Sequence, residues 1–356
     1  MKYLQKKITL LALLVLVLLL AQESRAADPS PPNQPLIGPG SYNYEHKAIT
    51  VSGPFWPRHP AVNKDNKYFL FQPADPTPEE APVILFLHGW MGIYPTQYIT
   101  WIGHIVKKGY IVVWVQYQSD RFTLPWSFAR RSIIMWKDAL KRLDSEDSPI
   151  RPEKDETGRI KTAIVGHSAG GYLSAVIAAK ASGKWRNIPK PYAIVCVEPG
   201  GLHLIPRKRL IKNIDFNTKV IIVVGDEDNV VCKSTAQKIW DYISHIPDQN
   251  KEFLLVKSDY HGTPRQISNH FFPGNSGYSD TAVIDARDFY VTFKLSVGTF
   301  NCAFQGTDCE YSLENGSDEQ VYMGEWSDGT PMIPMTWVED PNSLETTCND
   351  SLMPTN

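Results

Sequence analysis

The sequence predicts an α/β fold with a mostly parallel, doubly wound sheet, followed by an irregular, cysteine-containing C-terminal extension. Short apolar runs alternate with amphipathic runs of helical periodicity, and the apolar runs have no polar face. Such strands are typical of a parallel sheet covered by helices on both sides. The predicted strands lie near 67–72, 83–87, 111–117, 161–165, 192–197, 219–224 and 253–257, and the predicted helices near 97–108, 126–143, 171–181, 233–245 and 282–295.

The composition fits a globular protein with enough apolar material for a large core. The chain has 356 residues, of which 42% are hydrophobic and 21% are charged. The formal net charge is -2, and no basic cluster is interleaved with aromatic residues. We therefore expect no nucleic-acid partner.

The N-terminus has the pattern of a secretory signal peptide over residues 1–26. Three lysines at positions 2, 6 and 7 precede an apolar run over 8–21, and in Ser24-Arg25-Ala26-Ala27 small residues flank a plausible cleavage site. The apolar run is short for a membrane span, and retention as an anchor is the alternative. We expect a secreted or periplasmic protein with no stable membrane insertion after signal cleavage.

The remaining chain divides by composition into three parts. Residues 27–42 are rich in proline, glycine and serine and read as a flexible leader. Residues 43–297 contain the predicted strands and helices. Residues 298–356 have little helical periodicity and form the predicted extension.

The chain has five cysteines, and an exported protein can form disulfides. We expect Cys302 and Cys309 to bridge each other within a turn-rich stretch. Cys196 lies in an apolar strand and is expected to be a buried free thiol. Cys232 and Cys348 are a possible second pair. None of the spacings matches a zinc site, and no metal is expected.

The segment Gly166-His167-Ser168-Ala169-Gly170 lies between a predicted strand and a predicted helix. It has the form of a nucleophile elbow, a turn so sharp that side chains two positions either side of the serine would clash. The helix that follows directs its N-terminal amides toward the serine hydroxyl. A glycine-rich turn with a non-catalytic serine is the alternative. The residues at the neighbouring strand ends are needed to distinguish the two.

A serine nucleophile needs a base and an acid that orients the base. The strand 219–224 leads into an acidic turn in which Asp228 has the spacing expected of the acid. The strand 253–257 is followed by a loop that contains His261, the predicted base. The chain order Ser168, Asp228, His261 is the order expected on this kind of sheet.

Other residues compete for these two roles. Asp226, Glu227 and Glu198 are alternative acids, and Glu198 ends the strand 192–197. His270 is an alternative base, although it lies well beyond the strand end and is more typical of a packed or surface histidine. His88 and His167 are expected to hold the backbone of the turns beside the site.

The strand 83–87 ends in His88-Gly89-Trp90-Met91-Gly92, whose glycines allow amides to turn toward the serine. The backbone amides of Trp90 and Ala169 are the predicted oxyanion donors. The side chains of Trp90, Tyr94 and Trp126 are predicted to line the substrate pocket.

These four elements, in this order, resemble the α/β-hydrolase superfamily of the secreted serine esterase and lipase type. The similarity extends over about 43–297, and within the superfamily it is greatest to the dienelactone-hydrolase-like, acetylhydrolase-like and polyester-hydrolase-like enzymes. The chain departs from the hormone-sensitive-lipase-like pattern, because Trp90 and His167 replace a glycine and an aspartate of that pattern.

The resemblance implies a carboxylic-ester hydrolase that works through an acyl-enzyme on a small-molecule or polymeric ester, without a cofactor. An amidase or peptidase of the same fold is the first alternative, since the same groups cleave amides. A non-catalytic binding protein that kept the fold is the second.

Overall fold

A computed structural model describes residues 28–183, 187–201, 208–275 and 279–346. The predicted signal peptide and Cys348 lie outside the described residues. The strands are β1 Ala48–Phe55, β2 Tyr68–Ala74, β3 Glu80–Ala81, β4 Val83–Leu87, β5 Ile111–Val115, β6 Arg151–Pro152, β7 Thr162–His167, β8 Ala193–Val197, β9 Lys219–Gly225, β10 Lys251–Val256 and β11 Thr336–Trp337. The α-helices are α1 Ile99–Lys107, α2 Phe128–Leu143, α3 Ala169–Ser182, α4 Ser234–Tyr242, α5 Lys294–Gln305 and α6 Asp318–Val321.

Shorter helical turns connect these elements. The 3-10 turns are Pro95–Tyr98, Pro125–Ser127, Lys208–Asn213, Asp248–Asn250, Cys309–Tyr311 and Pro341–Ser343, and a π-helical segment, Asp288–Phe293, runs directly into α5.

Nine strands form one sheet in the order β1-β2-β5-β4-β7-β8-β9-β10-β11. The six strands from β5 to β10 in this order are parallel, whereas β1, β2 and β11 pair antiparallel at the two edges. The chain moves from β4 outward to β5 and later returns to β7 on the other side of β4. A parallel sheet opens a crevice for ligands at such a reversal, beyond the C-terminal strand ends.

Both faces of the sheet are buried, as the apolar strands predict. In β4, Leu85 belongs to one apolar core and Phe86 to the other. Helices α2, α3 and α4 cover the first face, and α1, α5 and part of the C-terminal region cover the second. The predicted fold class is therefore confirmed.

The structure differs from the sequence prediction mainly at the edges. Strand β1 was not predicted, because it is half exposed and contains a glycine and a proline. The helix predicted over 282–295 begins later and continues to Gln305, so that α5 crosses the predicted boundary at 297/298.

The cysteines follow the prediction where the structure describes them. Cys302 and Cys309 form a disulfide, and Cys196 is a buried free thiol. Cys232 is disulfide-bonded, and its predicted partner Cys348 is outside the described residues.

The segment predicted as a leader lies against later parts of the chain. The carbonyl oxygen of Pro29 accepts the amide of Thr263 at 2.9 Å, and that of Ser30 accepts the amide of Ser327 at 3.0 Å. The extension is attached in turn to the sheet, because β11 pairs with β10.

Candidate active site

Ser168 stands at the turn between β7 and α3 in the geometry of a nucleophile elbow. Its backbone has φ 56° and ψ -122°, a left-handed region that a non-glycine residue rarely adopts. A Cβ atom on Gly166 would lie 2.3 Å from the carbonyl oxygen of Gly170, and one on Gly170 would lie 2.0 Å from that of Leu87. Both glycines are therefore required by close backbone approach, as the sequence predicted.

A chain of hydrogen bonds joins Ser168 to two other side chains. The hydroxyl of Ser168 lies 2.9 Å from Nε2 of His270, and Nδ1 of His270 lies 2.9 Å from Oδ2 of Asp228. Because the Asp228 carboxylate can only accept, Nδ1 carries the proton and Nε2 is left to accept from the serine. All three residues are buried, with 4% to 6% of their surface exposed.

The structure corrects the predicted base, because His270 and not His261 occupies this position. His261 is exposed over 37% of its side chain, and its Nε2 pairs with Oδ2 of Asp328 at 2.8 Å. Its ring packs edge-on against Trp326 of the C-terminal region. His261 therefore belongs to the contact between this loop and the extension.

The path of the chain after β10 explains the difference. Asp259 and Gln266 exchange two backbone hydrogen bonds of 2.8 Å, which closes residues 259–266 into an outward loop containing His261. The chain then returns to the strand ends, where the amide of Ser268 donates to Oγ of Ser258 and its carbonyl accepts from Glu227. This return places His270 over the ends of β7 and β9.

A sequence signal for His270 does exist. His270 stands beside two phenylalanines in Ser268-Asn269-His270-Phe271-Phe272, which is an apolar setting for a histidine. His261 stands in a polar run with glycine, threonine, proline and arginine after it. Distance from the strand end favoured His261, whereas the apolar setting favours His270.

The turn after β4 lies directly beside the serine. A Cβ atom on Gly89 would lie 3.3 Å from Cβ of Ser168. Three amides of this turn already have acceptors. The amide of Gly89 donates to the Tyr98 hydroxyl, and the amide of Met91 donates to Oε1 of Gln118. The amide of Gly92 donates to the carbonyl of Gly89. Within the described ranges, no acceptor takes the amide of Trp90.

The amide of Ala169 is the other predicted donor. It is the first amide of α3, and the amides of a first helical turn have no partner inside their own helix. Its helix begins at the serine, so this amide and the positive end of the helix face the same region as the Ser168 hydroxyl.

Comparison with known families agrees with this geometry. Residues 39–203 match a family model described as Chlorophyllase, a family of dienelactone-hydrolase-like ester hydrolases. The chain has the α/β-hydrolase fold. The match contains the turn after β4 and the elbow with Ser168, and it ends before Asp228 and His270. A search of the curated proteins found no match.

The acidic residues near the serine separate into two sets. Asp226 accepts the amide and hydroxyl of Ser258, and Glu227 accepts the hydroxyl of Tyr260, so neither acid contacts His270. Glu198 and Asp228 both face His270, with Oε2 of Glu198 3.6 Å from Nδ1. Two of the four acids that the sequence offered therefore lie at the imidazole.

The two acids at the imidazole have opposite electrostatic preferences. Burial alone would raise the pKa of Asp228, but the neighbouring Glu198 carboxyl group, the charge and hydrogen bond of His270 and the Val231 amide hold it well below its usual range. Burial, and next the neighbouring Asp228 charge, raise the pKa of Glu198 well above its usual range. The negative charge of the pair is therefore held on Asp228.

His167 joins the separate turns of the site. Burial, and next the charge of His270, lower its pKa to about 3, so the ring is neutral. Its Nε2 donates to the carbonyl of His270 at 2.8 Å, and its Nδ1 lies 2.9 Å from the Tyr98 hydroxyl. Since that hydroxyl also accepts the amide of Gly89, one buried network holds the elbow, the His270 loop and the turn after β4.

His88 has a packing role in the same region. Burial lowers its pKa to about 4, and its Nδ1 lies 2.6 Å from the carbonyl of Gly89. Its ring stacks on Tyr117 at 4.0 Å between centroids. His88 and His167 thus both contact backbone carbonyl groups of the turns beside the site, as expected from the sequence.

The three aromatic residues predicted to bind substrate lie on loops after β4 and β5. Trp90 is 37% exposed and packs against Phe128. Tyr94 is 59% exposed and Trp126 is 62% exposed. Their role in binding stays a prediction.

In the described part of the chain, one group of three side chains has the spacing of metal ligands. Glu198, Asp228 and His270 bring their atoms within 4.8 Å of one another. Both ring nitrogens of His270 are already engaged, one with Asp228 and the other with Ser168. A hydrogen-bonded cluster therefore accounts for this group.

No helix among the described residues is long and apolar enough to cross a membrane.

Proposed function

We propose that the protein is a serine carboxylic-ester hydrolase that works through an acyl-enzyme. The observation that carries the proposal is the continuous hydrogen-bonded line from Ser168 through His270 to Asp228. A neutral imidazole in this line can accept the serine proton, and the buried carboxylate stabilises the cation that results. The similarity of residues 39–203 to an ester-hydrolase family supports the same reaction class.

In the proposed reaction, Oγ of Ser168 attacks the ester carbonyl while Nε2 of His270 takes the hydroxyl proton. The tetrahedral intermediate collapses when His270 returns that proton to the leaving alcohol, which gives the acyl-enzyme. Water, deprotonated by His270, then releases the acid and restores the serine. The amides of Trp90 and Ala169 are the proposed donors to the oxyanion in both steps.

The substrate class is a small-molecule ester or an ester on a polymer. Trp90 is the proposed wall of the pocket nearest the serine, with Tyr94 and Trp126 further out on the same loops. Apart from the water that attacks the acyl-enzyme, the proposed reaction uses only groups of this chain.

The test is hydrolysis of p-nitrophenyl acetate by the wild-type protein and by Ser168→Ala. We expect the substitution to lower kcat/KM by at least about 10³-fold, because no other group can form the acyl-enzyme. Ser182→Ala, at the end of α3, is the matched control and should retain activity. Wild-type turnover that survives Ser168→Ala would reject the proposal, and turnover of p-nitroacetanilide at a comparable rate would favour an amidase.

We also propose that the protein is secreted or periplasmic. The signal-peptide pattern lies outside the described residues, and the Cys302–Cys309 disulfide supports an oxidising compartment. Mass spectrometry of the mature protein should find an N-terminus near residue 27. An intact residue 1 on protein purified from its native compartment would contradict this proposal.

A further inference from the structure

Glu198 is a buried acid for which the proposed reaction has no evident need. It directly follows β8, it has no exposed surface, and its backbone φ is 48°. A non-glycine residue rarely adopts this left-handed region, because its backbone is strained there. The fold nevertheless holds it there, with its amide donating to the carbonyl of Val223 at 2.8 Å.

The neighbouring strand makes room for the carboxyl group. A Cβ atom on Gly225, the last residue of β9, would lie 2.7 Å from Oε1 of Glu198. The same atom would lie 2.1 Å from the carbonyl oxygen of Ser268. Only glycine at this position lets the Glu198 carboxyl and the returning His270 loop share the space at the strand ends.

Glu198 and Asp228 bring carboxyl oxygens within 4.8 Å of each other, and the two residues are 0% and 4% exposed. Neighbouring carboxylates in a site of low polarity share one proton, so the two acids are not ionised together. The hydrogen-bond donors around each carboxyl group determine which of the two acids is protonated. Oδ1 of Asp228 accepts the amides of Val230 and Val231 at 2.8 and 3.1 Å, and Oδ2 accepts Nδ1 of His270. These donors stabilise a charge on Asp228.

In the part of the chain that the structure describes, two further titratable groups lie near this cluster. Lys233, which precedes α4, acts on Glu198 from a distance, and the neutral His167 lies on the far side of His270 with ring centroids 4.8 Å apart. Neither supplies Glu198 with a close cationic partner. Among the described residues, neither carboxyl oxygen of Glu198 has a hydrogen-bond partner. A proton on Glu198 therefore removes a buried charge that no donor stabilises.

We propose that Glu198 is a positioning residue that stays protonated and donates a hydrogen bond to Asp228, so that the pair presents one negative charge to His270. The proposal rests on the proposed function for its catalytic meaning. The hydrogen bond fixes the Asp228 carboxylate against Nδ1 and draws part of its charge away from the imidazole. Glu198 thus acts through Asp228 and does not touch the substrate.

The pH dependence of kcat/KM separates a protonated Glu198 from an ionised one. Gln keeps a neutral donor, so Glu198→Gln should move the acid limb by less than about 0.3 pH units. Ala removes the donor and leaves more charge on Asp228, so Glu198→Ala should stabilise the imidazolium and move the acid limb to higher pH. We expect Glu198→Ala to lower kcat/KM by about tenfold and Glu198→Gln to recover most of that loss.

An ionised Glu198 predicts the opposite sign. Glu198→Gln would then remove one of two negative charges beside the imidazolium and move the acid limb to lower pH by about one unit or more. That result would overturn the proposal. A merely structural role would change the melting temperature without moving the acid limb in either variant, and that result would also overturn it.

Infrared difference spectroscopy tests the proton itself and does not depend on turnover. The spectrum of Glu198→Gln is subtracted from that of the wild type at pH 7, which cancels the bands of the other buried acids, Glu252 and Asp288. The difference should contain the carbonyl stretch of a protonated carboxylic acid in a dry site. Asp318→Asn, a change of an exposed acid, is the control and should give no such band in its difference from the wild type. A Glu198→Gln difference spectrum without the band would overturn the proposal even if Ser168 proved to be the nucleophile.

Discussion

At the scale of single residues, burial distinguishes the two histidines that follow β10. His270 is 4% exposed and engages both ring nitrogens, whereas the side chain of His261 is 37% exposed and pairs with an exposed aspartate. A proton acceptor for a serine has to lie in the same dry site as the serine. Burial of the residue is therefore a better guide to the base than its distance from a strand end.

Asp259 is an acid whose burial also differs from what its place in the sequence indicates. Asp259 lies in a polar stretch of sequence, Ser258-Asp259-Tyr260-His261-Gly262, but it is only 3% exposed. Its Oδ2 accepts Nε1 of Trp326 at 3.2 Å and the amide of Ile333 at 2.8 Å. These partners come from the C-terminal region, and a contact between such distant segments leaves no local trace in the sequence.

At the scale of elements, the strand-turn-helix of the elbow depends on a close approach between its backbone and the backbone of β4. The carbonyl of Leu87 in β4 occupies the space that a side chain at Gly170 would need. Residues 83–87 and the elbow therefore fix each other, which explains why Ser168 stands beside the turn after β4.

Gly170→Ala tests this packing. We expect it to lower the free energy of unfolding by about 3 kcal/mol or more and to abolish serine reactivity, because the new Cβ meets backbone that cannot move away. The measurement is urea denaturation of both proteins.

Gly103→Ala is the matched control, because Gly103 lies inside α1 and its Cβ would only touch Ile49 at 3.4 Å. This change should stabilise the protein by up to about 1 kcal/mol, as alanine is the better helix residue. Equal effects of the two substitutions would contradict the account of the elbow.

The elements of the central sheet could be predicted from the sequence, since their apolar runs depend only on burial of both strand faces. The strand 83–87 and the helix after Ser168 lie where the pattern places them. The base could not be placed with the same rule, because the excursion over 259–266 depends on contacts with the extension. Edge strands β1 and β11 were missed for a related reason, as they lack a fully buried pattern.

At the scale of the whole molecule, the C-terminal region completes the fold and does not stand apart from it. Trp326 and Met332 belong to the core beneath the sheet, and β11 extends the sheet beyond β10. The amide of Asn315 donates to Oε1 of the buried Glu252 in β10 at 2.9 Å. A polar, glycine-rich composition therefore did not prevent this region from packing.

Glu252 gives this attachment a pH dependence. Burial raises its pKa to about 7, against the opposing hydrogen bonds from Asn315 and Trp337. An acid whose folded pKa is raised contributes stability below its unfolded pKa near 4.5, and this contribution is lost as the pH rises through 7. Glu252→Gln should therefore gain stability over the wild type as the pH rises, by about 2 kcal/mol at pH 8 and little at pH 4.

Thermal or urea unfolding at several pH values measures this gain. Glu339→Gln, a change of an exposed acid, is the control and should show no such trend. A Glu252→Gln protein that gains the same stability at pH 4 and pH 8, or loses stability as the pH rises, would contradict the role given to Glu252.

The most direct test of the central claim compares the two histidines in one experiment. The protein is treated with a fluorophosphonate, the rate of labelling is measured, and the labelled residue is identified by peptide mass spectrometry. We predict that Ser168 carries the label in the wild type and in His261→Ala at similar rates, and that His270→Ala slows labelling by at least about 10³-fold. Slow labelling of Ser168 in His261→Ala together with wild-type labelling in His270→Ala would contradict the account.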